Sequence, residues 1–118
     1  MRIVAIRDTP WMKLWVPECL EMKGLDAAAC ARPRSEIYAA ANPVGEALRA
    51  RVPHVHFVDM SDFFCDARSC PPVIGNIVVY RDDSHVTATY ARTLAPMLRE
   101  RLMAAMPAHW QTPVLPGS

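Results

Sequence analysis

The chain has 118 residues and a formal net charge of +1, from thirteen basic and twelve acidic side chains. This balance argues against nucleic acid or an anionic membrane surface as the partner, and the length fits one modest domain. Apolar residues make up 52% of the sequence, which is enough to build a core. No apolar run reaches the ~18 residues that a bilayer span needs, and the N-terminal run is too short for a signal peptide.

The first half of the chain predicts an alternation of strands and helices. Residues 2–6 are rich in β-branched side chains and predict a buried strand. Residues 11–20 predict a short helical segment interrupted by Pro17. Residues 35–51 predict a helix that restarts at Asn42-Pro43, because asparagine caps helices and proline suits their first turn. Residues 55–59 then return as a strand.

The second half predicts a helical turn, a hairpin and a long helix. The turn covers residues 61–64, and the hairpin is centred on Gly75-Asn76, which tolerates the positive φ angles of a tight turn. The helix begins at Thr87, and Pro96 is expected to kink it or to mark a second start. Its apolar face is predicted to contain Tyr90, Leu94, Met97, Leu98 and Leu102. Residues 107–118 are expected to form an irregular tail.

The four cysteines form two local pairs. Short separations close with the least entropy, which favours bridges from Cys19 to Cys30 and from Cys65 to Cys70. Such bridges indicate an oxidising compartment. A zinc site and four reduced, buried thiols remain alternatives, although neither pair has the two-residue spacing of a zinc knuckle.

The stretch of residues 78–87 carries the clearest chemical signal. An apolar strand runs into a loop in which Asp82 precedes His85 by three residues, just ahead of a helix. Chemistry in open α/β sheets takes place at this end of the strands. A carboxylate that accepts the Nδ1 proton of a histidine leaves Nε2 free to take a proton from a nucleophile. The plainer alternative is a capping carboxylate and a surface histidine, with Arg81 pairing with Asp82 or Asp83 and lowering its pKa.

Residues near the end of the first strand have two interpretations each. Asp8 and Thr9 either contact substrate at the same rim or hydrogen-bond the turn before Pro10. Trp11 and Trp15 either line a sugar-binding surface or pack in the core, and the sequence favours the core.

Other polar residues favour structural interpretations. His54 and His56 alternate along a strand entry, but no third metal ligand lies near them in sequence, which favours solvent-facing histidines. Four arginines predict a solvated basic surface, namely Arg32, Arg34, Arg49 and Arg51.

The chain resembles part of an SGNH hydrolase domain. Residues 59–94 carry Phe64-Cys65, Cys70-Pro71, the segment from Tyr80 to His85, and the segment from Thr87 to Ala91. This pattern closely resembles the extracytoplasmic SGNH domain fused to bacterial integral-membrane acyltransferases. Two further segments fit the same group, namely Leu94-Ala95-Pro96 and Arg7-Asp8-Thr9-Pro10, the latter followed by two cysteines.

The resemblance implies a fold and two catalytic roles. The fold is a three-layer α/β/α, flavodoxin-like sandwich with a parallel sheet, of which residues 1–106 are the C-terminal portion and the N-terminal part is missing. His85 is the implied general base and Asp82 its orienter. The Gly-Asp-Ser motif that carries the nucleophile in this family is absent from the sequence, and none of its five serines stands in that context.

The resemblance also implies a serine acyltransferase or esterase acting on O-acyl groups of envelope polysaccharides, without a metal or cofactor. The parent domain is then periplasmic and tethered to a membrane acyltransferase domain, and this chain alone is expected to be inactive. The alternative is a non-catalytic, disulfide-stabilised α/β domain that binds glycan or a partner protein. A metal or redox protein with free thiols is a third possibility.

Overall fold

Two parallel strands form the centre of the fold in the computed structural model, which describes residues 3–110. Strand β1 (Ile3–Ile6) pairs with β3 (Val55–Val58), with Ile3 opposite Val55 and Ile6 opposite Val58. Both strands were predicted. Burial of β1 was overestimated, because within residues 3–110 it pairs with β3 alone and Ile6 is half exposed.

The first helix has a proline in its first turn. Helix α1 (Val16–Met22) has Pro17 in its first turn, where the missing amide proton leaves no ladder bond unmade. The prediction that Pro17 interrupts a helix over residues 11–20 is therefore wrong.

The predicted helix over residues 35–51 is two helices, α2 (Arg34–Ile37) and α3 (Pro43–Arg51). Asn42 caps α3 as predicted, and its side-chain oxygen accepts a hydrogen bond from the Gly45 amide at 3.1 Å.

The chain also forms two short antiparallel strand pairs. Strand β2 (Arg32–Pro33) pairs with β4 (Ser69–Cys70), a pairing that the sequence did not reveal. Strands β5 (Val73–Ile74) and β6 (Ile77–Val78) form the predicted hairpin. Its turn residues, Gly75 and Asn76, both have positive φ, at 57° and 60°. Beyond β6 the chain makes a single bridge between Tyr80 and Val86.

The long helix α4 (Ala88–Ala105) closes the fold against the core. Thr87 caps it as predicted, with its hydroxyl oxygen accepting from the Tyr90 amide at 3.2 Å. Tyr90 and Leu94 are buried, and the other predicted apolar positions pack around the same core. The helix continues through Pro96 without a second start. A 3-10 turn (Ala108–Trp110) follows, and the rest of the predicted tail lies outside the described residues.

Both cysteine pairs are disulfides, joining Cys19 to Cys30 and Cys65 to Cys70. No thiol is left for a zinc or redox role. Across residues 3–110 no group of three or more His, Cys, Asp or Glu side chains is arranged to hold a metal ion. Within the same range, no helix has the length and apolar character to cross a membrane.

Candidate functional site

The Asp82 to His85 loop is a tight, closed turn between the hairpin and α4. The Arg81 amide donates to the His85 carbonyl at 2.9 Å. Asp82 Oδ1 accepts from the backbone amides of Ser84 and His85, at 2.8 and 2.6 Å. Its second oxygen, Oδ2, lies 2.7 Å from His85 Nδ1. One carboxylate therefore holds both the backbone of the loop and the imidazole ring.

Electrostatics fix the proton on the ring of His85. The backbone amides of His85 and Ser84, followed by the ring contact, lower the pKa of Asp82 to about 2. The carboxyl group is then ionised at neutral pH and can only accept hydrogen bonds, so Nδ1 must donate. In the neutral ring this leaves Nε2 as a free base. The His85 side chain is 63% exposed, against 18% for Asp82, and the base is therefore accessible.

Arg81 was predicted to pair with Asp82 or Asp83 and to lower its pKa. Its side chain is not a source of the lowered Asp82 pKa, which comes from backbone amides and from His85. For Asp82 this expectation is wrong. The reason is local. Asp82 precedes the Ser84 amide by two residues and the His85 amide by three, so its carboxylate accepts hydrogen bonds from within its own turn.

The segment after β1 packs directly on the back of this loop. The Met12 amide donates to the Asp83 carbonyl at 2.7 Å, and the Val16 amide donates to the Asp82 carbonyl at 3.3 Å. The Thr9 hydroxyl donates to the Ser84 carbonyl at 3.3 Å. The strand pattern predicted that these two segments share a rim, and the structure brings them together.

Asp8 and Thr9 both have structural hydrogen bonds. Asp8 Oδ1 accepts from the Thr9 amide at 2.8 Å, and the Asp8 carbonyl accepts from the Tyr38 hydroxyl at 2.7 Å. Both residues are exposed and also line an open cavity of about 480 Å³ at the end of β1. Their contact with a substrate stays a prediction.

Trp11 and Trp15 are exposed, contrary to the core packing that the sequence favoured. Trp11 is 59% exposed and Trp15 is 55% exposed. The Trp11 indole donates to Asp83 Oδ2 at 3.0 Å, while the Ser84 hydroxyl donates to Asp83 Oδ1 at 3.1 Å. The burial predicted for this stretch is instead found at its neighbour Met12, which is fully buried.

The two histidines at β3 differ in exposure. His54 is exposed and precedes β3 with a φ of 74°, and His56 is partly buried within β3.

Arg34 was predicted to lie on a solvated basic surface, and this is wrong. Its side chain is 23% exposed and pairs with Asp62 at 2.9 Å. It also donates to the Ser61 hydroxyl at 3.1 Å and to the Cys65 and Asp66 carbonyls at 3.3 and 3.1 Å. A guanidinium group offers five donors in a fixed fork, which suits a junction between several loops.

A polar anchor at the ends of β1 and β3 was missed from the sequence. Arg7 pairs with Asp59 at 3.0 Å, donates to the Ala39 carbonyl at 2.7 Å, and lies 4.7 Å from the ring centre of Tyr38. Burial raises the pKa of Asp59, but hydrogen bonds from Ser61 and Arg7 outweigh it and hold this pKa below its ordinary value. Burial raises the pKa of Tyr38. Opposite charges directly after two adjacent parallel strands were the available signal.

Comparisons with known proteins place the chain in a family. Residues 1–100 match the family model described as the SGNH domain fused to AT3 domains. No curated protein matches the chain. No solved structure matches it either. The match covers most of the sequence and includes the whole Asp82 to His85 loop, and the chain therefore belongs to the family of SGNH domains fused to AT3 domains.

Proposed function

We propose that this chain is the base-bearing part of an SGNH acyltransferase or esterase domain that acts on O-acyl groups of envelope polysaccharides. His85 is the general base and Asp82 orients it. The observation that carries the proposal is the contact between an ionised Asp82 and His85 Nδ1, which leaves Nε2 free on an exposed side chain. Family membership supports the acyl chemistry, because AT3 domains belong to an acyltransferase context.

The proposed reaction uses a serine that lies outside these 118 residues, since the sequence has no Gly-Asp-Ser motif. The serine oxygen attacks the carbonyl carbon of a donor ester while its proton passes to His85 Nε2. The donor alcohol leaves with that proton, and the acyl group remains on the serine. A sugar hydroxyl then gives its proton to Nε2 and takes the acyl group, and the serine regains the proton. Water in place of the sugar gives hydrolysis.

The proposed domain is a three-layer α/β/α sandwich with residues 1–106 as its C-terminal portion. The parallel pair of β1 and β3, with helices α3 and α4 in contact with β3, supports this architecture. Both disulfides support a periplasmic location, because such bridges persist in oxidising compartments. The same family membership supports tethering to a membrane acyltransferase domain.

Hydrolysis of a small activated acetyl ester tests the proposal in the natural protein that contains these residues. We expect His85→Ala to lower kcat/KM by about 10³-fold or more, because removal of one triad member leaves little of the catalysis. His54→Ala is the matched control, since His54 is an exposed histidine outside the loop. Equal activity of the His85→Ala protein and the unsubstituted protein would contradict the proposed role.

A non-catalytic domain that binds glycan is the second candidate. It is favoured by the exposed indoles of Trp11 and Trp15 and by the missing nucleophile motif. The same assay separates the candidates, because a binding domain predicts no ester hydrolysis in the natural protein and no effect of His85→Ala.

A further inference from the structure

Trp11 is an exposed aromatic side chain that is hydrogen-bonded to the site loop. Single exposed apolar side chains are common on protein surfaces and need no explanation. Trp11 differs from such residues because its Nε1 donates to Asp83 Oδ2 at 3.0 Å, which fixes one edge of a ring that stays 59% exposed. The other oxygen of Asp83 is itself held by the Ser84 hydroxyl at 3.1 Å. The indole is therefore held in place without being buried.

The anchor of Trp11 lies in the loop that holds the proposed base. Asp83 is next to Asp82 in sequence, and its carbonyl accepts from the Met12 amide at 2.7 Å. Trp11 is thus attached to the His85 loop through both its ring and the backbone of the following residue. A ligand resting on this indole has a fixed position relative to His85.

The surroundings of Trp11 combine an apolar wall with polar groups. Trp11, Asp8 and Thr9 line the cavity of about 480 Å³ together with apolar residues of β1 and α3. The Lys13 ammonium lies 5.8 Å from the centre of the indole. A pyranose ring has an apolar face of C–H groups and a rim of hydroxyls. An exposed indole with a carboxylate at its edge, a hydroxyl in the same cavity and an ammonium over the ring offers such a ligand both an apolar surface and polar partners.

We propose that Trp11 is the stacking platform for a pyranose ring of the glycan substrate, and that it sets where the acyl-bearing sugar lies beside His85. This inference rests on the proposed function for the identity of the reaction. Binding of the sugar is a separate property and can be measured without catalysis.

Trp15 provides a matched control. It is 55% exposed and is likewise an indole, but it does not line the cavity beside Asp8 and Thr9. It lies instead over a shallow depression beside α1, with Glu18 and Met22. A general affinity of exposed indoles for sugars would involve both tryptophans, whereas a built platform involves Trp11 alone.

The experiment titrates the 118-residue protein with cellotetraose, chitotetraose and O-acetylated xylotetraose, and follows the backbone amide shifts of Thr9 and Ser84 by NMR. We expect saturable shifts with at least one of these sugars. Trp11→Ala should weaken binding by about tenfold or more, equivalent to ~1.4 kcal/mol, and Trp11→Tyr should restore most of it. Trp15→Ala should leave the affinity within about twofold, a difference below ~0.5 kcal/mol.

Two results overturn the proposal, namely no saturable shift with any of the three sugars, or an equal loss of affinity in the Trp11→Ala and Trp15→Ala proteins. The amide spectra show whether each variant is folded, and Trp11→Tyr tests the platform should Trp11→Ala unfold the protein. The binding measurement does not depend on whether His85 acts as a base. Inactivity of the natural protein on esters, with sugar binding still dependent on Trp11, refutes the proposed function and leaves the binding site in place.

Discussion

Removal of the Cys19–Cys30 disulfide is expected to lower stability substantially. The bridge ties α1 to the 3-10 turn Ala28–Cys30, and Cys30 is fully buried in the core. The first residue of α1, Val16, donates its amide to the Asp82 carbonyl. The bridge therefore fixes the helix on which the site loop rests. We predict the effect of the double substitution Cys19→Ala with Cys30→Ala.

The magnitude follows from the loop that the bridge closes. Its two cysteines are 11 positions apart. The chain-entropy relation for a loop of that size gives ~2.8 kcal/mol at 25 °C. With an unfolding entropy of ~2.1 cal/mol/K per residue, this loss lowers the Tm of a chain of this length by about 11 °C. Lost packing around the buried Cys30 sulfur adds to this figure.

Thermal unfolding followed by circular dichroism measures the effect. Met22→Ala is the control on the same helix, because Met22 is 74% exposed and its truncation should change stability by less than ~0.5 kcal/mol. A decrease in Tm of less than about 3 °C in the double variant would refute the reasoning, since the bridge would then restrict the unfolded chain far less than its loop length requires.

Three further predictions concern the site loop and its supports. The carboxyl group of Asp82 should titrate near its lowered pKa of about 2 instead of its ordinary 3.8. Its contribution to stability is then complete above pH 3.8 and lost as pH falls toward 2; a midpoint near 3.8 by NMR would show that the amide bonds are absent. Thr87→Ala should destabilise the protein by about 1–2 kcal/mol in urea unfolding, because the hydroxyl both caps α4 and donates to the Val78 carbonyl at 2.7 Å. Thr87→Ser is the control, since a serine hydroxyl can keep both hydrogen bonds. Arg34→Ala should lower the free energy of unfolding by about 2 kcal/mol or more. Arg34→Lys should recover only part of this loss, because one ammonium cannot replace the guanidinium fork that reaches Asp62 and its neighbours. Full recovery of stability by lysine would contradict this account.

Elements with local sequence signals could be predicted well. The hairpin follows from Gly75-Asn76, whose positive φ angles suit few other residues. The starts of α3 and α4 follow from Asn42 and Thr87, because a capping side chain bonds to amides of its own helix. The contact of Asp82 with His85 is also local, because the hydrogen bonds of the Asp82 carboxylate all go to Ser84 and His85 in the same turn.

Features that depend on distant parts of the chain could not be predicted. The exposure of Trp11 depends on Asp83, which is 72 positions away in sequence. The role of Arg34 depends on Ser61 and Asp62, in the 3-10 turn Ser61–Phe63, which meets it only in the folded protein. No local sequence pattern indicates that Asp83 bonds to Trp11 or that Ser61 and Asp62 bond to Arg34. The general tendencies of the residue types therefore favoured a core tryptophan and a solvated arginine.

The tautomer of His85 tests the central claim most directly. We expect long-range ¹⁵N NMR of the neutral ring in the 118-residue protein to show the proton on Nδ1, because the ionised Asp82 can only accept a hydrogen bond there. Asp82→Asn keeps an oxygen for the Ser84 and His85 amides but offers a donor to the ring, so the proton should move to Nε2. A proton on Nε2 in the unsubstituted protein, or the same tautomer in both proteins, would contradict the assignment of Asp82 as the residue that orients the base.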